Sequence, residues 1–178
     1  MQIRNEMRIV KDHWHFRSIK RTRPWAIHTE CMHKENVWKA TQKFVKSGNS
    51  ALWFVVTPEN FDFVKTETGV SMDQKKWEKT IADRYKWLKD QGQEIQLHVH
   101  LRIKMSMYSK EEAIKDIEKK ISGSIRWLKN IGIVPDKIVF GWWSFNDYAV
   151  KFANKNNMQV MGRLENYFIH DYDLLELV

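Results

Sequence analysis

One cysteine, Cys31, stands in a chain of 178 residues. A lone thiol excludes an internal disulfide framework, and it excludes a cysteine-built zinc cluster as well. No apolar run approaches the roughly 20 residues needed to span a bilayer. The opening stretch, MQIRNEMRIVKDHWHF, lacks the uninterrupted apolar core of a secretory signal. These absences read as a soluble, cytoplasmic protein with no membrane span. There is no internal repeat, low-complexity tract or linker, so the length suits one domain over 1–178.

Acidic residues are also in deficit: 22 Asp and Glu face 30 Lys and Arg, a formal net charge of +8. The excess is unevenly spread. Residues 1–25 hold seven basic side chains (Arg4, Arg8, Lys11, Arg17, Lys20, Arg21, Arg23) against Glu6 and Asp12, which is +5. The other 153 residues carry 23 basic and 20 acidic side chains, which is only +3. Segment 1–23 is therefore a basic N-terminal stretch ahead of a nearly balanced body. Nine Trp, nine Phe and five Tyr supply ample core material, and an aromatic surplus of this kind often lines ligand grooves.

From Pro24 onward the pattern is regular. Trp25 to Thr29 reads as a short strand, and Glu35 to Ser47 as a helix with Val37, Ala40, Phe44 and Val45 on one face. The continuous apolar run Ala51 to Val56 suits a strand buried on both faces. Asp73 to Asp90 repeats Trp77, Ile81, Tyr85 and Leu88 at helical spacing, with Gly92 placed for a left-handed cap. Glu94 to Leu101 is the next strand. Ser109 and Glu112 form a capping-box start for a helix whose stripe is Ile114, Ile117, Ile121, Ile125 and Leu128, ending near Gly132. Lys137 to Phe140 is a fourth strand, Asn146 caps a short helix to about Asn156, and Met158 to Gly162 is a fifth strand. Strands alternating with helices imply right-handed crossovers and a mostly parallel sheet, open or curled into a partial barrel.

In such folds the working residues gather where strands turn into loops. Apart from His13 and His15, every histidine falls near such an end. His98 and His100 are two residues apart, and alternate side chains on a strand share a face, so both imidazoles can address one ion. The same parity brings His28 and Glu30 together. Two such pairs offer three or four N/O ligands, the composition of a catalytic zinc site with one position open to water. Each pair alone reads equally as packed or exposed histidine. Cys31 reads as an inert buried thiol, because no flanking pattern supports a thiolate. Trp142 and Trp143 follow a strand and could stack on a sugar ring; the alternative is one indole packed inward and the other half exposed.

These residues carry a resemblance. ALWFVVTP (Ala51 to Pro58) resembles the "aTFFV" strand of the NodB-like polysaccharide deacetylases, carbohydrate esterase family 4, and DQGQEIQLH (Asp90 to His98) resembles their "GHEIgnH" motif. FGWWSFN (Phe140 to Asn146) sits where the family has "RPPYG..N". IHTEC (Ile27 to Cys31) resembles its "DTEC" variant, and Ile169-His170-Asp171 its late "LHD" motif. The resemblance runs from about Pro24 to Asp173 and implies a distorted, incomplete (β/α) barrel of the glycoside hydrolase/deacetylase type. It implies a divalent metal, usually zinc, that activates water against the N-acyl group of an amino sugar or polysaccharide.

Carried over residue by residue, Glu30 is the carboxylate ligand and His98 the first histidine ligand. The family's second histidine lies four residues later, here Arg102, so His100 would take its place. His28 stands at the position of the general base, and His170 at that of the acid that protonates the leaving amine. The arginine that orients the base is replaced by Gly141. The expected activity is a metal-dependent hydrolase. The departures at His28 and Gly141 keep open a catalytically inactive, carbohydrate-binding relative. The net charge alone keeps open a nucleic-acid-binding domain, though no nucleic-acid motif accompanies it.

Overall fold

A computed structural model describes residues 25–101, 109–162 and 167–177. The basic segment 1–23, with His13, His15 and Arg17 to Arg23, lies outside the described residues, as does Arg102. Strands and helices alternate: β1 (Trp25–Thr29), α1 (Glu35–Lys46), β2 (Ala51–Val55), α2 (Phe61–Thr68), α3 (Gln74–Asp90), β3 (Glu94–Val99), α4 (Lys110–Asn130), β4 (Lys137–Phe140), α5 (Asp147–Lys155), β5 (Gln159–Val160), β6 (Tyr167–His170) and the single turn α6 (Leu174–Leu177). Tight 3-10 turns precede α2 (Pro58–Asn60), follow β4 (Gly141–Trp143) and follow β6 (Asp171–Asp173).

The strands form one sheet in the order β5-β4-β3-β2-β1-β6, and every described pairing is parallel. The sheet is unclosed, with β5 and β6 at its edges, which agrees with the expected incomplete barrel. Two elements depart from the sequence reading. The stretch after Pro58 is a turn and helix, and a sixth strand, β6, pairs with β1 so that His170 stands opposite His28.

The two faces of the sheet have different fates. Ile27, Trp53, Val55, Leu97, Val99 and Ile138 belong to the main core, together with Phe44 of α1, Trp77, Ile81, Tyr85 and Leu88 of α3 and Ile117, Ile121 and Leu128 of α4. This is the apolar stripe that helical spacing places on one side of each helix. The alternate strand residues Ala26, Phe54 and Val139 form a second, smaller cluster with Met161, packed by Leu52 and Phe168. His28 and His98 share that second face by strand parity.

Gly123 lies inside α4 because that helix meets the Pro58–Asn60 turn closely. A side chain there would collide with the Glu59 carboxyl, and Thr57 and Ser124 bridge the same junction through their hydroxyls at 2.6 Å.

The start of α4 follows its sequence signature. The Glu112 amide donates to Ser109 Oγ at 3.2 Å, and the Ser109 amide donates to Glu112 Oε2 at 2.8 Å. Replacing an N-cap serine by alanine costs about 1 kcal/mol. Ser109→Ala should lower the urea midpoint by that equivalent with an unchanged m-value, and an unaltered midpoint would show that the cap contributes nothing.

Candidate metal centre

β1 and β3 are separated only by β2, and their parallel register brings their C-terminal ends to one edge of the sheet. There β1 delivers His28 and, one residue past its end, Glu30; β3 delivers His98 and, just past its end, His100; β6 delivers His170. One ligand atom from each of Glu30, His98 and His100 lies within 4.8 Å of the others. His100 Nε2–H donates to a Glu30 carboxylate oxygen at 2.8 Å. The parity argument held for convergence but not for its means. β3 stops at Val99 rather than Leu101, so the turn beyond it aims His100.

The cluster is dry. His98 is fully buried and His100 is 3% exposed. Among the described residues, both ring nitrogens of His98 lack a hydrogen-bond partner, as do His28 Nε2, His100 Nδ1 and His170 Nδ1. Buried polar atoms normally find partners, so five orphans in one place call for an occupant. Two imidazoles and a carboxylate match the N/O donor set of zinc and similar divalent ions. The residues present therefore fit a metal.

His28 packs among rings, with centroids 4.4 Å from His98, 5.0 Å from Phe168, 5.5 Å from His170 and 6.1 Å from Trp143. Burial, with the charge of His170, pushes its pKa down to about 3. Burial likewise holds His98 well below the ordinary histidine range. Burial drives the Glu30 carboxyl upward, but the hydrogen bond and charge of His100 and the other imidazoles outweigh it, and Glu30 ends below its usual value. The net effect is an ionised carboxylate near the neutral imidazoles of His28 and His98.

His170 is held by its surroundings: its ring stacks on Tyr172 at 5.0 Å and 6°, and its amide donates to Asp173 Oδ2 at 2.8 Å. The next residue, Asp171, is fully buried, and both its carboxylate oxygens accept from the Cys31 amide, at 3.1 and 2.9 Å. This ties the turn after β6 to the residue beside Glu30. Cys31 itself is inert, as expected; burial and the Asp171 charge push its thiol up to about 12. His33 is buried, hydrogen-bonded to the backbone of Glu30 and near the charges of Lys34 and Arg84.

Trp142 and Trp143 occupy the turn after β4, and both adopt left-handed backbone angles, φ 52° and 54°. Bulky residues rarely do so, and such strain gathers at functional sites. Trp143 turns inward against His28 and Phe168, while Trp142 is 64% exposed and stands edge-on to Phe63 and His100. Three residues absent from the sequence reading also border the cluster. Phe63 of α2 stacks on His100, and Asn60 and Lys120 both donate to the His100 carbonyl.

No protein-family model matches the sequence, and no curated protein matches it. Solved structures do match. A CE4 family pseudoenzyme from Bacillus anthracis aligns at 17% identity over 77% of this chain and 41% of that one, TM-score 0.53. A peptidoglycan N-acetylglucosamine deacetylase aligns at 14% over 77% and 54%, TM-score 0.53. A family 4 carbohydrate esterase from Streptomyces lividans aligns at 10% over 86% and 81%, TM-score 0.59. The fold is that of the CE4 carbohydrate esterases. The chain spans 41% of the length of the pseudoenzyme that it matches. Among the described residues of this CE4-type fold, no helix is long and apolar enough to cross a membrane.

The buried imidazoles set a pH dependence for the metal-free protein. His28, with its pKa near 3, and His33, with its pKa near 4, bind protons later on acidification than they do in the unfolded chain, and His98 shifts the same way. Between about pH 6.5 and 4 the unfolded state thus binds more protons, and stability falls as pH falls. Each such imidazole steepens the slope by about 1.4 kcal/mol per pH unit. Urea midpoints taken from pH 7 to 4 should decline, and His28→Phe should flatten the decline; a flat wild-type profile would contradict the assigned burial.

Proposed function

We propose that this protein binds a divalent metal, Zn2+ by its preference for such N/O donors, through Glu30, His98 and His100, and hydrolyses the N-acyl group of an amino sugar or polysaccharide. The observation that carries the reading is the convergence of these ligand atoms at the C-terminal edge of a CE4-type sheet, with His28 and His170 alongside. When bound, the metal would polarise the acyl carbonyl and lower the pKa of its water toward about 7.

The rest of the chemistry falls to the chain. Glu30 would bring the one formal negative charge to the ligand set, while His98 and His100 would contribute imidazole nitrogens. His28 stays neutral at pH 7, and its unpartnered Nε2 can accept a hydrogen bond from the attacking water and orient it. His170, aligned by Tyr172 and Asp173, would hold a proton at a ring nitrogen and pass it to the departing amine. Trp143 and Phe168 wall the site from bulk water, and the exposed indole of Trp142 offers a face to a pyranose ring.

A second reading rests on one observation: the imidazole at the base position is a weak proton acceptor, its pKa near 3. A general base works best with a pKa near the operating pH. In that reading the protein binds metal and glycan without turnover, and the likeness to a pseudoenzyme fits it.

Metal analysis and acetate release separate the two. Purified chain should hold close to one divalent ion, and His98→Ala should lose it; no uptake under any loading condition would defeat both readings. Acetate release from N-acetylated chito-oligosaccharides that disappears in Glu30→Ala establishes the hydrolase. Saturable glycan binding without acetate establishes the inactive relative.

A further inference from the structure

His100 is held on every side that a side chain can be held. Its carbonyl accepts from Asn60 Nδ2 at 3.0 Å and from Lys120 Nζ at 2.8 Å, which fixes the backbone just past β3. One ring face lies on Phe63, centroids 3.6 Å apart and 17° between planes. The Nε2 side meets Glu30, and Trp142 stands edge-on at 5.5 Å. The Nδ1–Cε1 side of the ring lies close to Gly141. A Cβ added there would overlap Nδ1 and Cε1 and stand 2.6 Å from Cγ.

Gly141 does not need glycine for its backbone, since among the described residues its φ is not one of the positive ones. What position 141 lacks is space. The ring has little room to yield, because Phe63 stacks on one of its faces and the His100 carbonyl is anchored twice.

From this we propose that Phe63 and Gly141 are positioning residues that form a slot for the His100 imidazole and aim its Nε2 at the point shared with Glu30 and His98. The proposal rests on the metal-binding reading for its function, but the slot itself is a property of the metal-free protein. Partners that orient a metal ligand, without touching the ion, typically change affinity by roughly 10- to 100-fold when lost. Gly141 would act by what it leaves empty, and Phe63 by what it fills.

The test uses the full chain with Gly141→Ala, Phe63→Leu and His100→Ala, alone and combined. In the metal-free protein, nitrogen NMR of labelled histidine should show the wild-type His100 Nε2–H bonded to Glu30, and both slot variants should lose or shift that signal. Co2+ titration, followed by its visible absorption, should show affinity reduced roughly 10- to 100-fold with an altered band shape in both variants. In the His100→Ala background, Gly141→Ala should have no further effect on cobalt. A merely structural role would lower thermal stability without changing the cobalt bands, and would persist when His100 is absent.

Wild-type cobalt affinity in Gly141→Ala, or an equal loss in the His100→Ala background, overturns the proposal. An unchanged His100 signal in both slot variants also overturns it, even if they fold less stably. If the wild-type protein takes up no cobalt, the metal-binding reading fails on its own, and the metal-free NMR arm still decides whether the slot exists.

Discussion

Imidazoles crowded at one end of a parallel sheet, with little hydrogen bonding among them, are the constraint around which this molecule is built. Leaving a buried polar group unsatisfied costs about 1–3 kcal/mol, and five such nitrogens meet here. The Glu30–His100 hydrogen bond relieves one donor, and the depressed basicity of His28 and His98 is the electrostatic expression of the rest. Nothing in ordinary core packing calls for this arrangement. Apolar residues would fill the same space at lower cost, as Phe54 and Phe168 do beside it.

The surroundings read as means of keeping the cluster together. Asp171 ties the turn after β6 to Cys31, so the last strand and the residue beside Glu30 cannot part. Asn60 and Lys120 reach the same His100 carbonyl from a turn and from α4, and Lys120 keeps its charge paired with Asp116 at 3.1 Å. Main-core burial on one face of the sheet supplies the stability that this polar face does not. The division between the faces follows from strand parity: Ile27 and Leu97 go to the main core, His28 and His98 to the face of the smaller cluster.

Much of this was legible in the residues. Helical stripes such as Trp77–Ile81–Tyr85–Leu88 and the Ser109–Glu112 capping box specify α3 and α4 by local physics alone, and the strands from β1 to β4 were bounded within one or two residues. The convergence of Glu30, His98 and His100 followed from parity and from the motif resemblance. What escaped was short or nonlocal. α2 buries only Phe61 and Val64, too few for a periodic signal, although Pro58 at its entry and Gly69 at its left-handed exit marked both ends. β6 is four residues long and is defined by its pairing with β1, which no local pattern announces. The slot around His100 joins positions 63, 100 and 141, and only the fold brings them together.

Position 141 changes meaning once the fold is known. By motif alone, Gly141 is a lost arginine and His100 an improvised ligand, two separate departures that both suggest decay. In space they are one event, because the ring of His100 occupies the volume that any side chain at 141 would need. A chain that had merely lost its catalytic arginine would have no reason to keep position 141 empty. Nor would it need Phe63 stacked on the neighbouring imidazole, or two donors on that residue's carbonyl. Under the proposed metal-binding reading, the arrangement is that of a rebuilt ligand set rather than an eroded one, with the second histidine two residues after His98 instead of four. Whether chemistry survived the rebuilding then depends on His28, whose burial favours holding a water over taking its proton.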